Sequence, residues 1–337
     1  MKLTSFFADG RERFGVLRDR SVVDFTGHAA RFRHAAGAGL GSILELIEAG
    51  VDGIAFAQAL LASYDRDPAG FASYSIDDIN WRTPVLRPSK LCCIAFNNTA
   101  NSGRILKGPK HPALFTKPAS ALIGHLAAIE CRPEYGRVHP EPELAVVIGR
   151  KAKRISAQEA YDYVFGYTIH NDITSPTMRD EDTFHYRAIH PRDGNHLEVE
   201  YLESWVSYSG RYKGSDTFAC VGPYIVTRDE IPNPHTLNVT CHHKDMLVTE
   251  DNTENLYYKV PELLEFITRY VTLEPGDIIS MGTALKKSAR GGAVQNVDLN
   301  RFGGPVSVTI DKIGTLTNTV THLNLEDGAK QEQQCSS

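Results

Sequence analysis

The chain has 337 residues, 42% hydrophobic and 23% charged, with a net charge of −5 and a pI near 6.2. That length buries a substantial core in one large domain or two. The acidic balance, without long blocks of like charge, disfavours a nucleic-acid partner, which would need a basic face. No stretch approaches the roughly 20 apolar residues that span a bilayer, so no membrane partner is expected. The first residues, "MKLTSFFADGRER", hold no apolar run of signal-peptide length. The six cysteines lack CxxC spacing, which fits reduced thiols in a cytoplasmic protein.

In chain order, "KLTSFF", "RFGVLR" and "SVVDF" read as short strands, with Asp9-Gly10 as a hairpin turn. "GSILELIEAG" and "DGIAFAQALLASY" space their apolar residues as helices do. These pieces predict a small N-terminal α/β domain over residues 1–85. "WRTPVLRPSK" is expected to be a linker, and from Leu91 many short strands predict a larger domain over 90–325. "SAQEAYDYVFGY" opens with Ser156 and Glu159 at capping-box spacing and predicts a helix. "VPELLEFITRYVTLEPGD" predicts a second, with Pro261 near its start and a Pro275-Gly276 turn after it. "GPVSVTIDKIGTLTNTVTHL" reads as a pair of strands, and residues 326–337 as a polar tail. The expected class is α+β, mostly β with α. His242 and His243, beside a hairpin turn, are expected to be exposed; Cys92 and Cys93 belong in a core strand.

"HPEPELAVVIG" sets Glu141 and Glu143 two residues apart, just before the apolar run Leu144–Ile148. In a strand these carboxylates share a face and repel. A hard cation removes the repulsion, and Asp172, at the end of "FGYTIHND", is the natural third ligand. An all-oxygen set favours Mg²⁺, Mn²⁺ or Ca²⁺ over zinc. On spacing alone the signal is weak, and two solvated carboxylates at the start of a strand are the more ordinary reading.

Longer stretches carry more information. "EPELAVVIGRKAKRISAQEAYDYVFGYTIHNDIT", "YKGSDTFACVGPYIVTRDEI" and "DNTENLYYKVPELLEFITRYVTLEPGDIISMGT" resemble, in order, segments of the fumarylacetoacetate hydrolase family. The resemblance covers most of the chain from about 90 to 320. It implies a mixed β-roll fold, a homodimer, and Glu141, Glu143 and Asp172 as ligands of Mg²⁺ or a similar ion. It also implies Lys213 beside the metal and in contact with substrate, with Thr283 holding a substrate carboxylate. The implied activity is divalent-metal-dependent hydrolysis of a C–C bond in a 1,3-dioxo carboxylic acid. Such an acid, or a 2-oxo acid, chelates a cation that stabilises its enolate.

Two departures qualify that activity. Hydrolytic members carry Asn-Tyr-x-x-His and then a Glu three residues later, a pair that activates water. Here the stretch is "FNNTANSGR": Asn97 is kept as a substrate-binding candidate, Asn98 replaces Tyr, Asn101 replaces His and Arg104 replaces Glu. A non-hydrolytic member therefore competes with the hydrolase, whether a 2-keto-3-deoxy sugar acid dehydratase, an oxo-acid tautomerase or a decarboxylase. A catalytically quiet metal-binding protein is a further alternative, against which Lys213 and Thr283 count. The second departure is "TSPTMRDED", in which Arg179 matches a substrate-binding arginine only if the loop is longer. The stretch 181–211 reads as a long loop holding His185, His190 and His196, either surface residues or a lid that supplies the missing base, His185 first. His170, two residues before Asp172, is a catalytic candidate or a packing residue. The Gly-Gly pairs of "RGGAVQNVDLNRFGGP" lack a phosphate-loop signature.

Overall fold

The computed structural model describes residues 1–29 and 40–323; the polar tail expected over 326–337, with Cys335, lies outside them. Lys2–Ala8 and Arg11–Arg18 pair antiparallel. Between them Asp9 (φ 50°) and Gly10 (φ 76°) make the expected turn, both in the left-handed region that a two-residue hairpin demands. Ser21–Asp24 adds a third strand. Helices Ile43–Glu48 and Gly50–Arg66 follow, the first capped by Ser42, whose hydroxyl accepts from Glu45 N. Their apolar faces close a core with Leu3, Phe14, Val23 and Phe25.

The first strand also joins the rest of the chain. Lys2 and Leu3 pair with Val226 and Ile225 of the Ala219–Thr227 strand. One twelve-stranded sheet thus runs from the N-terminal hairpin through Ala219–Thr227, Val164–Asp172, Pro142–Ile148, Ile278–Ser280 and Leu91–Ala95 to Ala113–Lys117. Every residue of Pro142–Ile148 and Val164–Asp172 is buried, as near-continuous apolar runs require of strands covered on both faces. A five-stranded sheet lies against them, ordered Met246–Asn252, Asn238–His243, Val306–Ile310, Gly314–His322 and Ala128–Cys131. Val146, Tyr167 and Ile169 of the large sheet share one core with Val239, Val308 and Leu316 of the small one. The predicted helix forms over Val260–Tyr270 and buries Leu263, Leu264 and Ile267 in the same core. The fold is α+β, mostly β, in open sheets.

Three local expectations change. Glu159 does accept from Ser156 N (3.2 Å) and Oγ (2.7 Å), but only a single 3-10 turn, Ala160–Tyr163, follows before the strand. The residues beyond it, Val164, Tyr167, Thr168 and Ile169, are aromatic and β-branched and fill a sheet better than a helix. Gly166 permits the close approach of the next strand: a Cβ there would lie 2.3 Å from Val226 O. Residues 181–211 are no loop. Thr183–Arg192 and Asn195–Ser207 form a hairpin that pairs only with itself, turned at Asp193-Gly194. His243 is buried rather than exposed, its Nε2 2.7 Å from Gly303 O. Among the described residues no helix is long and apolar enough to cross a membrane.

The two kinds of strand respond differently to truncation. Ile169→Ala, in the shared core, should cost about 2–5 kcal/mol in urea unfolding. Leu197→Ala, on the exposed hairpin, should stay within about 0.5 kcal/mol.

Candidate functional site

Register builds the site. Glu143 sits opposite His170, and Asp172 N donates to Glu141 O at 2.9 Å. Residues opposite one another across an antiparallel pair share a face. Glu141, Glu143, His170 and Asp172 therefore project together from the ends of the two central strands. One oxygen from each of Glu141, Glu143 and Asp172 lies within 4.8 Å of the others. Glu143 and Asp172 are buried, and Glu141 is half-buried.

Burial and crowding act differently on the three. Burial, then the charges of Asp172 and Glu141, push Glu143 up to about 8. Ser280 Oγ, Gly282 N (3.0 Å) and Thr283 Oγ1 (3.1 Å) donate to it. Burial alone would raise Asp172 too, but Lys117 and Lys213 outweigh it and hold the carboxyl below its usual range. Lys213 Nζ donates to Asp172 Oδ2 at 2.6 Å and to Glu141 Oε2 at 2.7 Å. Burial opposes its charge, yet those two carboxylates raise it above the ordinary lysine value, so it remains an ammonium. Lys117, fully buried, lies 2.5 Å from Asp172 Oδ1 and donates to the carbonyls of Ile173 and Phe218. That contact with Oδ1 is an ion pair between two buried groups. Three carboxylates with one oxygen each inside 4.8 Å of the others are an all-oxygen donor set that fits a hard divalent cation.

The carboxylates face a cavity of about 640 Å³ that is also lined by Asn97, Asn101, Arg104, Arg137, His139, Arg179, Lys213 and Thr283. Thr283 Oγ1 reaches both Glu141 (3.2 Å) and Glu143 (3.1 Å), so its hydroxyl belongs to the carboxylate cluster. Asn97, expected on substrate, has both amide hydrogens engaged by Tyr258 O (3.0 Å) and Met281 O (2.7 Å). It ties the end of Leu91–Ala95 to the chain before Thr283. Arg179, on the Pro176–Glu181 helix, stands at the cavity wall.

His170 does not line the cavity. Its Nδ1 lies 2.7 Å from Ser280 Oγ, which itself donates to Glu143, so Nδ1 carries the proton and the ring braces Glu143 from behind. Burial drives it down to about 3, and it stays neutral. His185 does not line the cavity: it stacks on Trp205 (3.9 Å) and meets Glu203 (2.8 Å) on the exposed hairpin, so its position gives the catalytic-base reading no support. His190 and His196 also lie on that hairpin, outside the cavity lining.

Three residues were not singled out in the sequence. Lys117 ends the apolar strand "ALFTK", a weak signal. His139 stands two residues before Glu141, was in view, and lines the cavity with Nε2 3.9 Å from Glu141 Oε1 and Nδ1 3.1 Å from Pro140 O. Burial lowers its pKa against the pull of Glu141, so the ring is neutral near pH 7. Asp251 gathers Asn98 Nδ2 (3.0 Å) and Leu285 N (2.8 Å), fixing the segment around Thr283.

A mixed sheet that brings three carboxylates and a buried ammonium to one open cavity forms an acid-lined site of small-molecule size. The chain belongs to the fumarylacetoacetate hydrolase family: the family model described as Fumarylacetoacetate (FAA) hydrolase C-terminal matches residues 91–321. It is 32% identical over 287 residues to oxaloacetate tautomerase YisK of Bacillus subtilis, covering 83% of this chain and 86% of that one. Among solved structures it is similar to a fumarylacetoacetate hydrolase from Exiguobacterium antarcticum, with 26% identity and a TM-score of 0.71 over 96% of this chain and 100% of that one. It is also similar to a maleylpyruvate hydrolase from Sphingobium sp. SYK-6 in complex with manganese(II) and pyruvate, with 25% identity and a TM-score of 0.66 over 96% and 99%. The family thus spans hydrolases and a tautomerase, and membership alone does not choose the reaction.

Because Glu143 is held up near 8, it must lose a proton to ligate a cation. Mg²⁺ affinity should rise between pH 6.5 and 8.5 and weaken as pH falls. Calorimetry at pH 7.5 in buffers of different ionisation enthalpy should show a proton released, and a pH-independent affinity would contradict the ligand set.

Proposed function

We propose that the protein is a divalent-metal-dependent enzyme that interconverts the keto and enol forms of a 2-oxo acid, not a C–C hydrolase. One observation carries this reading. Asn101 and Arg104 face the cavity where the hydrolytic pattern has His and Glu, and neither takes a proton from water near neutral pH. Keto–enol exchange needs no activated water, only stabilisation of an enolate and a carrier for one proton. Similarity to a relative named oxaloacetate tautomerase supports it.

Glu141, Glu143 and Asp172 would hold Mg²⁺ or Mn²⁺, which when bound supplies positive charge against the negative charge that develops on the 2-oxo oxygen. Lys213 adds fixed positive charge at the same place; with its proton held so firmly it acts through its field. His139, neutral, with Nδ1 turned to Pro140 O and Nε2 toward the carboxylates, is the cavity group suited to take and return the proton. Thr283 and Ser280 keep Glu143 aimed.

With Mg²⁺, a 2-oxo acid such as oxaloacetate should lose enol absorbance faster than in buffer, without change of mass. Cleavage into two products, with solvent ¹⁸O in a carboxylate, would overturn this reading. Glu141→Ala or Asp172→Ala should abolish Mg²⁺ binding and turnover. His139→Gln should lower kcat by about 10²–10⁴ while Mg²⁺ still binds.

A further inference from the structure

The wall opposite any catalytic role for water has its own chemistry. The chain leaves Leu91–Ala95 through Phe96, at φ 57°, and turns once over Thr99–Asn101, capped by Asn98 Oδ1 accepting from Ala100 N at 2.9 Å. This brings Asn101 and Arg104 to the cavity. Asn101 is 2% exposed. Its Oδ1 accepts from Arg104 Nη1 at 3.4 Å, with Nδ2 on the other side of the amide. That Nδ2 has no hydrogen-bond partner. A buried donor left unsatisfied is costly, and a ligand oxygen relieves it. Arg104 forms no ion pair among the described residues, and neither does Arg137, whose guanidinium donates to Gln295 O at 2.7 Å.

Charge points the same way. Arg104, Arg137, Arg179 and Lys213 line the cavity against Glu141, Glu143 and Asp172. A divalent cation among the carboxylates turns this near-balance into a clear positive surplus, which a monoanionic 2-oxo acid only partly compensates. A second carboxylate on the same molecule reduces it further. A guanidinium with free N–H groups beside an unpartnered amide N–H is a complementary seat for a carboxylate.

We propose that Asn101 and Arg104 form an anion subsite that selects 2-oxo acids bearing a second carboxylate at the end remote from the acidic cluster. The proposal rests on the reading of the cavity as a 2-oxo acid site. In this chain, the positions that activate water in hydrolytic members would instead read substrate charge.

The test is calorimetry of the Mg²⁺-loaded full chain with matched pairs: 2-oxoglutarate against 2-oxopentanoate, and oxaloacetate against 2-oxobutyrate. At least one diacid should bind roughly ten- to hundredfold more tightly than its matched monoacid, the span of a charged hydrogen-bonded contact. Arg104→Leu, at an exposed side chain, should erase that preference and leave monoacid affinity in place, and Arg104→Lys should restore part of it. In kinetics the loss should fall on KM for the diacid rather than on kcat. Equal affinity within both pairs, or a preference that survives Arg104→Leu, overturns the subsite alone. Failure of every 2-oxo acid to bind overturns the oxo-acid reading and the subsite with it. Diacid-selective binding without keto–enol turnover would overturn the proposed reaction and leave the subsite standing.

Discussion

Asp172 ends its strand between two ammonium groups, Lys213 Nζ at 2.6 Å and Lys117 Nζ at 2.5 Å. A carboxylate buried this deeply and left alone would give up its charge or prevent folding. The lysines come from separate parts of the chain, one ending the Ala113–Lys117 edge strand and the other on the short Gly210–Gly214 helix. The site therefore exists only once both have been brought to Asp172. Removing one partner of such a buried cluster costs about 3–5 kcal/mol, because the remaining charge has no solvent to turn to. Glu143 is managed by a different route: without a close ammonium, it stays partly protonated and is held by Ser280, Gly282 and Thr283.

The sheet is arranged around that requirement. Glu141 and Glu143 come from one central strand and Asp172 from its neighbour, while Ser280 lies opposite Ala145 on the other side. Three strands thus place their side chains on one face by pairing alone. The N-terminal unit is part of the same construction, since its first strand continues the sheet beyond Ala219–Thr227. The carboxylate cluster rests on two central strands buried on both faces within that continuous sheet.

Much of this was legible in the sequence, for identifiable reasons. Strand period set Glu141 and Glu143 on one face, and it took the longer family resemblance to favour a cluster with Asp172 over two solvated carboxylates. Asp9-Gly10 and the Val260–Tyr270 helix were readable from turn chemistry and spacing. Lys117 was not: what makes it special is the pair of carbonyls, Ile173 and Phe218, that only the folded chain sets around it. Asn97 was expected on substrate, but its amide is engaged by the backbone of segments over 160 residues away. The Ser156–Glu159 contact formed as its spacing suggested, and the helix still did not follow, since the next residues suit a sheet. His185 misled because 181–211 was read as a long loop beside the site, although the alternation in "TFHYRAIH" already had strand character.

That hairpin has a consequence for how the chain can vary. It leaves the body at two points, after the Pro176–Glu181 helix and before Gly210–Gly214, and Arg211 locks these together through Glu181 (2.7 Å) and Asp182 (2.8 Å). Neither of its strands pairs with the two larger sheets. Residues added or removed in matched pairs about Asp193-Gly194 would leave the register of every buried strand, and the clasp at the base, as they are. The arm is thus a segment whose length can drift between relatives, or carry an inserted tag, while the cavity a few residues below its root keeps its shape.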